Sequence, residues 1–309
     1  MTDYSLRVFD STLDMLSNEN NPTPIVRLNR VTPYKHTKVY AKLEWYNPFG
    51  AVKDRVAANL VRDAQERGIK LENLVEPTSG NTGMGLAMIA NAKGIKFTAT
   101  LSLAIPEEKR AALRVFGAKL VELSDDLCPM PGAPEGAMQK ATEMGQQPGW
   151  HQLNQYKNPA NPDAHFRTTG PEIWRQTEGK VTHFVATMGT TGTLMGCSRF
   201  LKEKNPKIEI IGCQPQEGSQ IPGIRKWPEA YLPKIYDKRR VDRIESVSQG
   251  EAEEMTRRMA REEGIFAGIS SGGAMHVALR IAKDLKHAVV VTIVCDRGDR
   301  YLSTGVFPD

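Results

Sequence analysis

The stretch 187–193 (TMGTTGT) has the residue types of a phosphate-binding loop. It follows a predicted strand, VTHFVAT, and precedes a predicted helix, LMGCSRFLKEK. There, glycines let the backbone approach a ligand, amide N–H groups and threonine hydroxyls donate hydrogen bonds, and the helix dipole favours an anion. The stretch has neither the Gly-Lys-Ser/Thr of a Walker loop nor a GxGxxG spacing. It therefore predicts a phosphate site, with simple helix capping as the alternative.

Three further stretches place polar or reactive side chains at the starts of predicted helices. Residues 76–83 (EPTSGNTG) crowd small polar side chains onto one helix start, which suits a carboxylate, and residues 268–274 (GISSGGA) form another polar turn. Lys53 stands in a first helical turn, where a cation is unfavourable beside the positive helix end. A desolvated lysine can form a Schiff base and carry a proton, although a solvated surface lysine is the commoner case. Together these parts predict pyridoxal 5'-phosphate as cofactor.

Predicted strands and helices alternate along the chain, which is typical of an α/β fold with mostly parallel strands. A predicted helix at 54–67 has one apolar face. The Pro-, Gly- and Asn-rich stretch 128–163 is predicted to be a seam between two lobes. We expect ligands in the crevice between lobes and at the carboxyl ends of the strands. The strands are predicted at 38–43, 73–76, 96–101, 119–123, 181–187, 208–214 and 288–295.

Composition indicates an ordinary folded protein. Of 309 residues, 40% are hydrophobic and 25% charged, with a formal charge of +5. Basic residues are interleaved with acidic ones, so no nucleic-acid partner is predicted. No apolar run approaches a membrane span and the first residues lack a secretory signal, so we predict a cytoplasmic protein with no membrane partner. The spacing of four cysteines and six histidines predicts reduced thiols and no metal site, and the four tryptophans are expected to pack.

The stretches NPFGAVKDR, PTSGNTG, GTTGT and GISSGG, in this order and spacing, resemble the fold-type II pyridoxal phosphate enzymes of the cysteine synthase and cystathionine β-synthase family. The similarity runs from Pro22 to Phe307. It implies a tryptophan synthase β-like fold of two lobes, each a mostly parallel twisted sheet flanked by helices, with the active site in the cleft between them. Residues 42–158 would form a smaller, mobile N-terminal lobe, and 1–41 with 159–309 the larger lobe that binds the cofactor phosphate. A homodimer is also implied.

The resemblance assigns roles to residues through the matching motifs. Lys53 would be the catalytic Schiff-base lysine, Asn81 the partner of the cofactor ring oxygen, and Ser270 the partner of the pyridine nitrogen. The phosphate cup would consist of Gly189, Thr190, Thr191, Gly192 and Thr193. The substrate carboxylate would be bound by Thr78, Ser79, Gly80 and Thr82.

Further stretches, among them EGSQIPGIRKWP and CDRGDRYLSTGVF, are similar to one branch of that family. In that branch, the residues matching Arg225 and Cys295 are associated with a polar pocket that accepts thiosulfate as well as sulfide. These two residues are therefore predicted to bind substrate.

The activity implied by the resemblance is a β-replacement. O-acetyl-L-serine and sulfide, or thiosulfate, would give L-cysteine, or S-sulfocysteine, and acetate through an α-aminoacrylate intermediate. The chain departs from the family at 21–24 (NPTP), at Ala51 and at 101–107 (LSLAIPE), none of which is a predicted cofactor contact. The alternatives are an O-phosphoserine sulfhydrylase, a cystathionine β-synthase, a serine/threonine dehydratase or, outside enzymes, an anion-binding or scaffold protein.

Overall fold

The chain forms two compact units in a computed structural model that describes residues 7–78, 80–124 and 134–307. Unit 1 contains Lys53–Asn161 together with the described residues before Ser17, and unit 2 contains Ser17–Val52 and Pro162–Asp309. Within the described ranges, no helix is long and apolar enough to cross a membrane.

Strands and helices alternate through most of both units. In chain order the strands are β1 (Ile25–Arg27), β2 (Lys38–Leu43), β3 (Asn73–Pro77), β4 (Lys96–Ser102), β5 (Lys119–Leu123), β6 (Trp150–Gln152), β7 (His183–Thr187), β8 (Glu209–Pro215), β9 (Arg243–Val247) and β10 (Val289–Val294). The helices are α1 (Lys53–Glu66), α2 (Asn81–Lys93), α3 (Glu107–Val115), α4 (Glu135–Gly145), α5 (Ala160–Arg167), α6 (Thr169–Gln176), α7 (Gly192–Lys204), α8 (Gln249–Glu263) and α9 (Ile269–Ala282).

Unit 1 is built on a four-stranded sheet in the order β5-β4-β3-β6, and each neighbouring pair is parallel. The apolar face predicted for α1 is buried, with Val56, Leu60 and Ala64 each no more than 1% exposed. Helices α1 and α2 pack closely, because a Cβ on Gly85 would lie 3.2 Å from the Ala57 Cβ. This packing holds the first turns of α1 and α2 close together within unit 1.

Unit 2 is built on a six-stranded sheet in the order β1-β2-β10-β7-β8-β9. Only the edge pair β1–β2 is antiparallel among its ladders in the described ranges. Helix α8 has a capping box, in which Ser248 and Glu251 each accept a backbone N–H from the other, and it ends at Gly264 with φ +69°. The α/β fold with mostly parallel, helix-flanked sheets is thus confirmed.

A buried ion pair lies in unit 2. Lys42 on β2 and Glu172 on α6 are both fully buried, with 2.7 Å between Lys42 Nζ and Glu172 Oε2. Lys42 Nζ also donates to the Thr23 carbonyl and to Gln176 Oε1, at 3.2 and 2.9 Å. Thr23 in turn donates its hydroxyl to Glu44 Oε1 at 2.7 Å. The divergent 21–24 stretch is therefore fixed by buried charges.

The contact-defined boundaries differ from the lobes expected from the sequence. Residues 42–52 group with unit 2, because Lys42 and Leu43 pair with Ile293 and Val294 of β10 in its sheet. The chain passes between units at Asn161, near the end of the expected seam, and the described residues 134–161 of that seam form α4, β6 and the start of α5 within unit 1. The mobility expected of the smaller lobe stays a prediction.

The polar turn expected at 268–274 is in fact the beginning of α9, which starts at Ile269. Its glycines serve helix packing. A Cβ on Gly272 would lie 2.0 Å from Thr256 Oγ1 and 2.3 Å from the Ala252 carbonyl oxygen of α8. Because glycine permits this approach, the expected turn is part of a buried helix pair.

Candidate active site

The predicted phosphate loop follows β7 and leads into α7 in unit 2. Thr191 precedes the first residue of α7, with φ +70° and no hydrogen bond from its side chain to cap the helix. It is 2% exposed, and its hydroxyl oxygen has no hydrogen-bond partner among the described residues. A buried hydroxyl at an uncapped helix N-terminus is suited to an anionic ligand.

A second segment, 223–227, packs against this loop. A Cβ on Gly189 would lie 2.7 Å from the Gly223 carbonyl oxygen, so only glycine fits there. The Arg225 backbone N–H donates to the Met188 carbonyl at 3.0 Å, and the Trp227 indole N–H donates to the Gly189 carbonyl at 2.7 Å. The Arg225 guanidinium carbon lies 4.9 Å from the centre of the Trp227 ring. Thus Arg225 is anchored beside the loop.

The predicted residues Ser270 and Cys295 also belong to this part of unit 2. Gly223 has φ +89°, and a Cβ on it would lie 3.5 Å from Ser270 Oγ. Cys295 follows β10, and its Sγ lies 4.0 Å from Thr187 Oγ1 at the end of the neighbouring β7. Its backbone N–H donates to Ser271 Oγ at 2.9 Å. The carboxyl ends of parallel strands thus bring together the predicted loop, Arg225, Ser270 and Cys295.

The cysteines of unit 2 have different environments. Cys197 and Cys213 are fully buried, whereas Cys295 is half-buried. Burial raises the pKa of the Cys213 thiol to about 12. Cys213 is therefore a protonated packing residue, and Cys295 is the accessible thiol of these three. Cys128 lies outside the described residues.

A buried histidine contacts the last threonine of the loop. His165 on α5 is 0% exposed, and its Nε2 lies 3.2 Å from Thr193 Oγ1. Its Nδ1 lies 2.9 Å from Thr169 Oγ1. Both ring nitrogens therefore contact hydroxyl groups. The contact from His165 orients the Thr193 side chain.

In unit 1, Lys53 is the first residue of α1 and is half-buried. It is followed by Asp54, which is 1% exposed and supplies the acidic group of the first turn. The carboxylate suits the positive helix end, whereas the lysine does not. The unfavourable placement of Lys53 predicted from the sequence is therefore present in the structure.

The predicted carboxylate-binding loop connects β3 to α2 in unit 1. Thr78 Oγ1 accepts backbone N–H groups from Gly80 and Gly83, at 3.1 and 2.9 Å. Gly80 has φ +142° and precedes Asn81, the first residue of α2. Thr78 therefore shapes the turn through its side chain. Ser79 lies outside the described residues.

The Thr82 hydroxyl is also engaged, because it donates to Gln155 Oε1 at 2.8 Å. The Gln155 amide group donates to the Pro77 carbonyl at 2.8 Å, and the side chain of Asn161 donates to the Gln155 carbonyl at 2.7 Å. Both Thr82 and Gln155 are buried. The loop is thus fixed from both sides by one glutamine side chain.

The sequence interpretation missed several of these contacts. Trp227 was expected to be a packing residue, yet its indole N–H donates a hydrogen bond to the loop. His165 had no assigned role. Gly223 stands in a Pro-Gly pair, which signals a turn. Gln155 lies in the Asn-rich seam and carries no local signal that could have identified its role.

Comparisons with known proteins place this chain in a family. A model of the family described as "Pyridoxal-phosphate dependent enzyme" matches residues 16–296. Cysteine synthase B of Pseudomonas aeruginosa is 50% identical over 287 residues, which cover 92% of this chain and 94% of that protein. The crystal structure of an O-ureido-L-serine synthase, 37% identical, superposes with a TM-score of 0.89 over 97% of this chain and 95% of its own. A cysteine synthase structure from Entamoeba histolytica, 31% identical, gives 0.90 over 100% and 94%.

Proposed function

The chain belongs to the family of pyridoxal-phosphate dependent enzymes, and from this premise we propose that it is a cysteine synthase of the B type. The reaction is the conversion of O-acetyl-L-serine and sulfide into L-cysteine and acetate. The observation that carries the proposal is the 50% identity to cysteine synthase B, which extends over 92% of this chain. The cofactor is pyridoxal 5'-phosphate.

The residues of unit 2 fit the phosphate of this cofactor. The buried Thr191 hydroxyl and the uncapped start of α7 offer donors, and the Gly189 approach to Gly223 keeps the loop free of side-chain bulk. We assign the phosphate to Gly189, Thr190, Thr191, Gly192 and Thr193. Ser270 is assigned to the pyridine nitrogen, where its hydroxyl does not stabilise a positive charge as a carboxylate would.

Unit 1 contains Lys53 and the loop that we assign to the substrate carboxylate. When bound, the cofactor supplies an electron sink that acidifies the α-proton and lets the β-substituent leave. Lys53 would hold the cofactor through a covalent bond, and its Nζ would remove the α-proton and return it to the product. We assign Asn81 to the cofactor ring oxygen and the loop of Thr78, Ser79, Gly80 and Thr82 to the substrate carboxylate. A loop that orients the substrate also limits attack by water.

The test of this function is the visible absorption spectrum of the holoprotein during stepwise addition of O-acetylserine. We expect the spectrum to change and acetate to be released. Addition of sulfide should then restore the original spectrum, with one cysteine formed per site. A response only to O-phosphoserine or serine would favour the alternative β-replacement and elimination enzymes. Pyruvate release without sulfide would favour a dehydratase, and failure to take up the cofactor would contradict the enzyme assignment.

Arg225 is proposed to select the sulfur donor. Thiosulfate carries a sulfonate-like anionic end that a guanidinium can bind, whereas sulfide has no such group. We expect Arg225→Ala to lower kcat/KM for thiosulfate by roughly tenfold to a hundredfold, the scale of one hydrogen bond to a charged group. With sulfide, kcat/KM should stay within about threefold of the parent.

The matched control for Arg225 is Lys226→Ala. Lys226 is the next cation along the chain, but it is exposed and paired with Glu217. The substitution Lys226→Ala should leave the preference between sulfide and thiosulfate unchanged in steady-state assays with both donors. An equal loss with sulfide and thiosulfate in Arg225→Ala would contradict the selective role.

We propose further that the enzyme is a cytoplasmic homodimer and that Cys295 borders the space for the sulfur donor. The family resemblance supports the dimer, and the 4.0 Å approach of Cys295 Sγ to Thr187 Oγ1 at the ends of adjacent strands supports the role of Cys295.

A further inference from the structure

Glu76 is a buried carboxylate beneath the loop that precedes α2. It lies on β3 and is 0% exposed. Burial raises the pKa of its carboxyl to about 7, against the opposing effect of backbone hydrogen bonds from Gln155 and Asn154. The cofactor and substrate roles assigned above do not use it.

The position of Glu76 follows from the end of a strand pair. The parallel ladder between β3 and β6 stops at Val75 and Gln152. Beyond that point, Glu76 Oε2 accepts the Asn154 N–H at 2.7 Å and Oε1 accepts the Gln155 N–H at 2.8 Å. Asn154 has φ +59°, so the chain turns there and leaves the ladder. The two carboxylate oxygens of Glu76 thus accept backbone N–H groups that the strand ladder no longer pairs.

A continuous chain of buried hydrogen bonds joins Glu76 to the loop. Glu76 fixes the backbone of Gln155, and the Gln155 side chain then engages the Pro77 carbonyl and the Thr82 hydroxyl, both at 2.8 Å. Glu76, Gln155 and Thr82 are 0%, 2% and 5% exposed. Because buried polar groups are held in place by their partners, loss of one Glu76 acceptor oxygen leaves the N–H of Asn154 or of Gln155 unsatisfied unless this segment moves.

We propose that Glu76 is a positioning residue for substrate binding, which acts through Gln155 and Thr82 to hold the carboxylate-binding loop in its binding shape. The inference rests on the proposed function for the assignment of that loop. Glu76 does not touch the substrate; it sets the place of the residues that do.

The experiment uses the full-length holoprotein and L-alanine as a probe, which has the α-carboxylate of the substrate but no leaving group. Its apparent Kd is measured from the visible spectrum. Glu76→Gln keeps the volume but replaces one acceptor oxygen by a donor, so we expect the Kd to rise roughly tenfold. Cofactor content should be unchanged. The control is Glu72→Gln, the same chemical change at an exposed residue paired with Lys70, which should leave the Kd unchanged.

A double-mutant cycle with Thr82→Val separates positioning from a general structural effect. Thr82→Val breaks the last link of the chain, so Glu76→Gln should add less than about threefold to the Kd in that background. The same cycle with Glu76→Asp, which keeps the carboxylate, serves if the glutamine variant loses its cofactor, and we expect the same non-additivity. An unchanged Kd in the Glu76 variants, or an undiminished effect in the Thr82→Val background, would overturn the proposal.

Because this test measures alanine binding and not cysteine formation, its failure can be distinguished from failure of the proposed function. If the protein makes no cysteine but Glu76→Gln weakens alanine binding as described, the positioning role stands and the proposed reaction fails. If cysteine is made and alanine binding is unaffected by Glu76→Gln, the reaction stands and the positioning role fails.

Discussion

Replacement of Lys53 by alanine is expected to lower kcat for cysteine formation by about 10³-fold or more. Lys53 is the group that we assign both to the covalent bond with the cofactor and to movement of the α-proton. Alanine can do neither. The expected readouts are initial rates of cysteine formation and the mass of the protein after borohydride treatment. Borohydride should attach the cofactor covalently to the parent protein and leave it unattached in the variant.

The matched control is Lys70→Ala. The Lys70 side chain is 86% exposed and is paired with Glu72. Its removal should leave both rate and covalent attachment unchanged. Retention of more than about a tenth of the parent rate in Lys53→Ala, on the scale of general acid–base effects, would disprove the assignment of Lys53 as the base.

Replacement of Glu172 by alanine is expected to lower the free energy of unfolding by about 3–5 kcal/mol. The substitution removes the carboxylate that lies 2.7 Å from Lys42 Nζ, in a place where both side chains are fully buried. The free-energy cost of removing a charge from water is offset only when a counter-charge lies close to it. Urea unfolding of the holoprotein, followed by circular dichroism, measures the change.

Glu254→Ala is the control for this prediction, because Glu254 pairs with Arg257 on the surface of α8 with its side chain 57% exposed. Its effect should stay within about 0.5 kcal/mol. The double variant Lys42→Met with Glu172→Leu removes both charges and should regain much of the lost stability. A double variant as unstable as Glu172→Ala would show that packing of α6 matters rather than the loss of a counter-charge beside Lys42.

The sequence predicted the longer strands of both sheets well. The strand at 38–43 was predicted with the observed ends, as was 119–123, because both are short runs rich in apolar residues with high strand propensity. The interpretation missed β1, β6 and β9. The first two have three residues each, too few for periodicity, and β9 (RIESV) carries two charges in five positions. Such strands are defined by their partners in the sheet.

The assignment of polar turns was less complete. Residues 268–274 have the composition of a loop, yet they begin a helix because their glycines pack against α8. Likewise, residues 42–52 belong with unit 2 because β2 pairs with β10, whose residues lie about 250 positions along the chain. Neither outcome is encoded in a local pattern.

The order and spacing of four short motifs are sufficient to indicate the family and the cofactor, because that chemistry requires particular residue types at helix starts. The assignment of Lys53 as the reactive lysine stays a prediction. Only the folded structure shows which polar side chains are already hydrogen-bonded within the protein. Thr78 was predicted as a ligand and also accepts two backbone N–H groups, and Thr82 donates to Gln155, 73 residues away. The role inferred for Glu76 arises in the same way, from a contact 79 residues distant. Hydrogen bonds between remote segments form only when packing brings their donors and acceptors within about 3 Å, and no local sequence pattern records that distance.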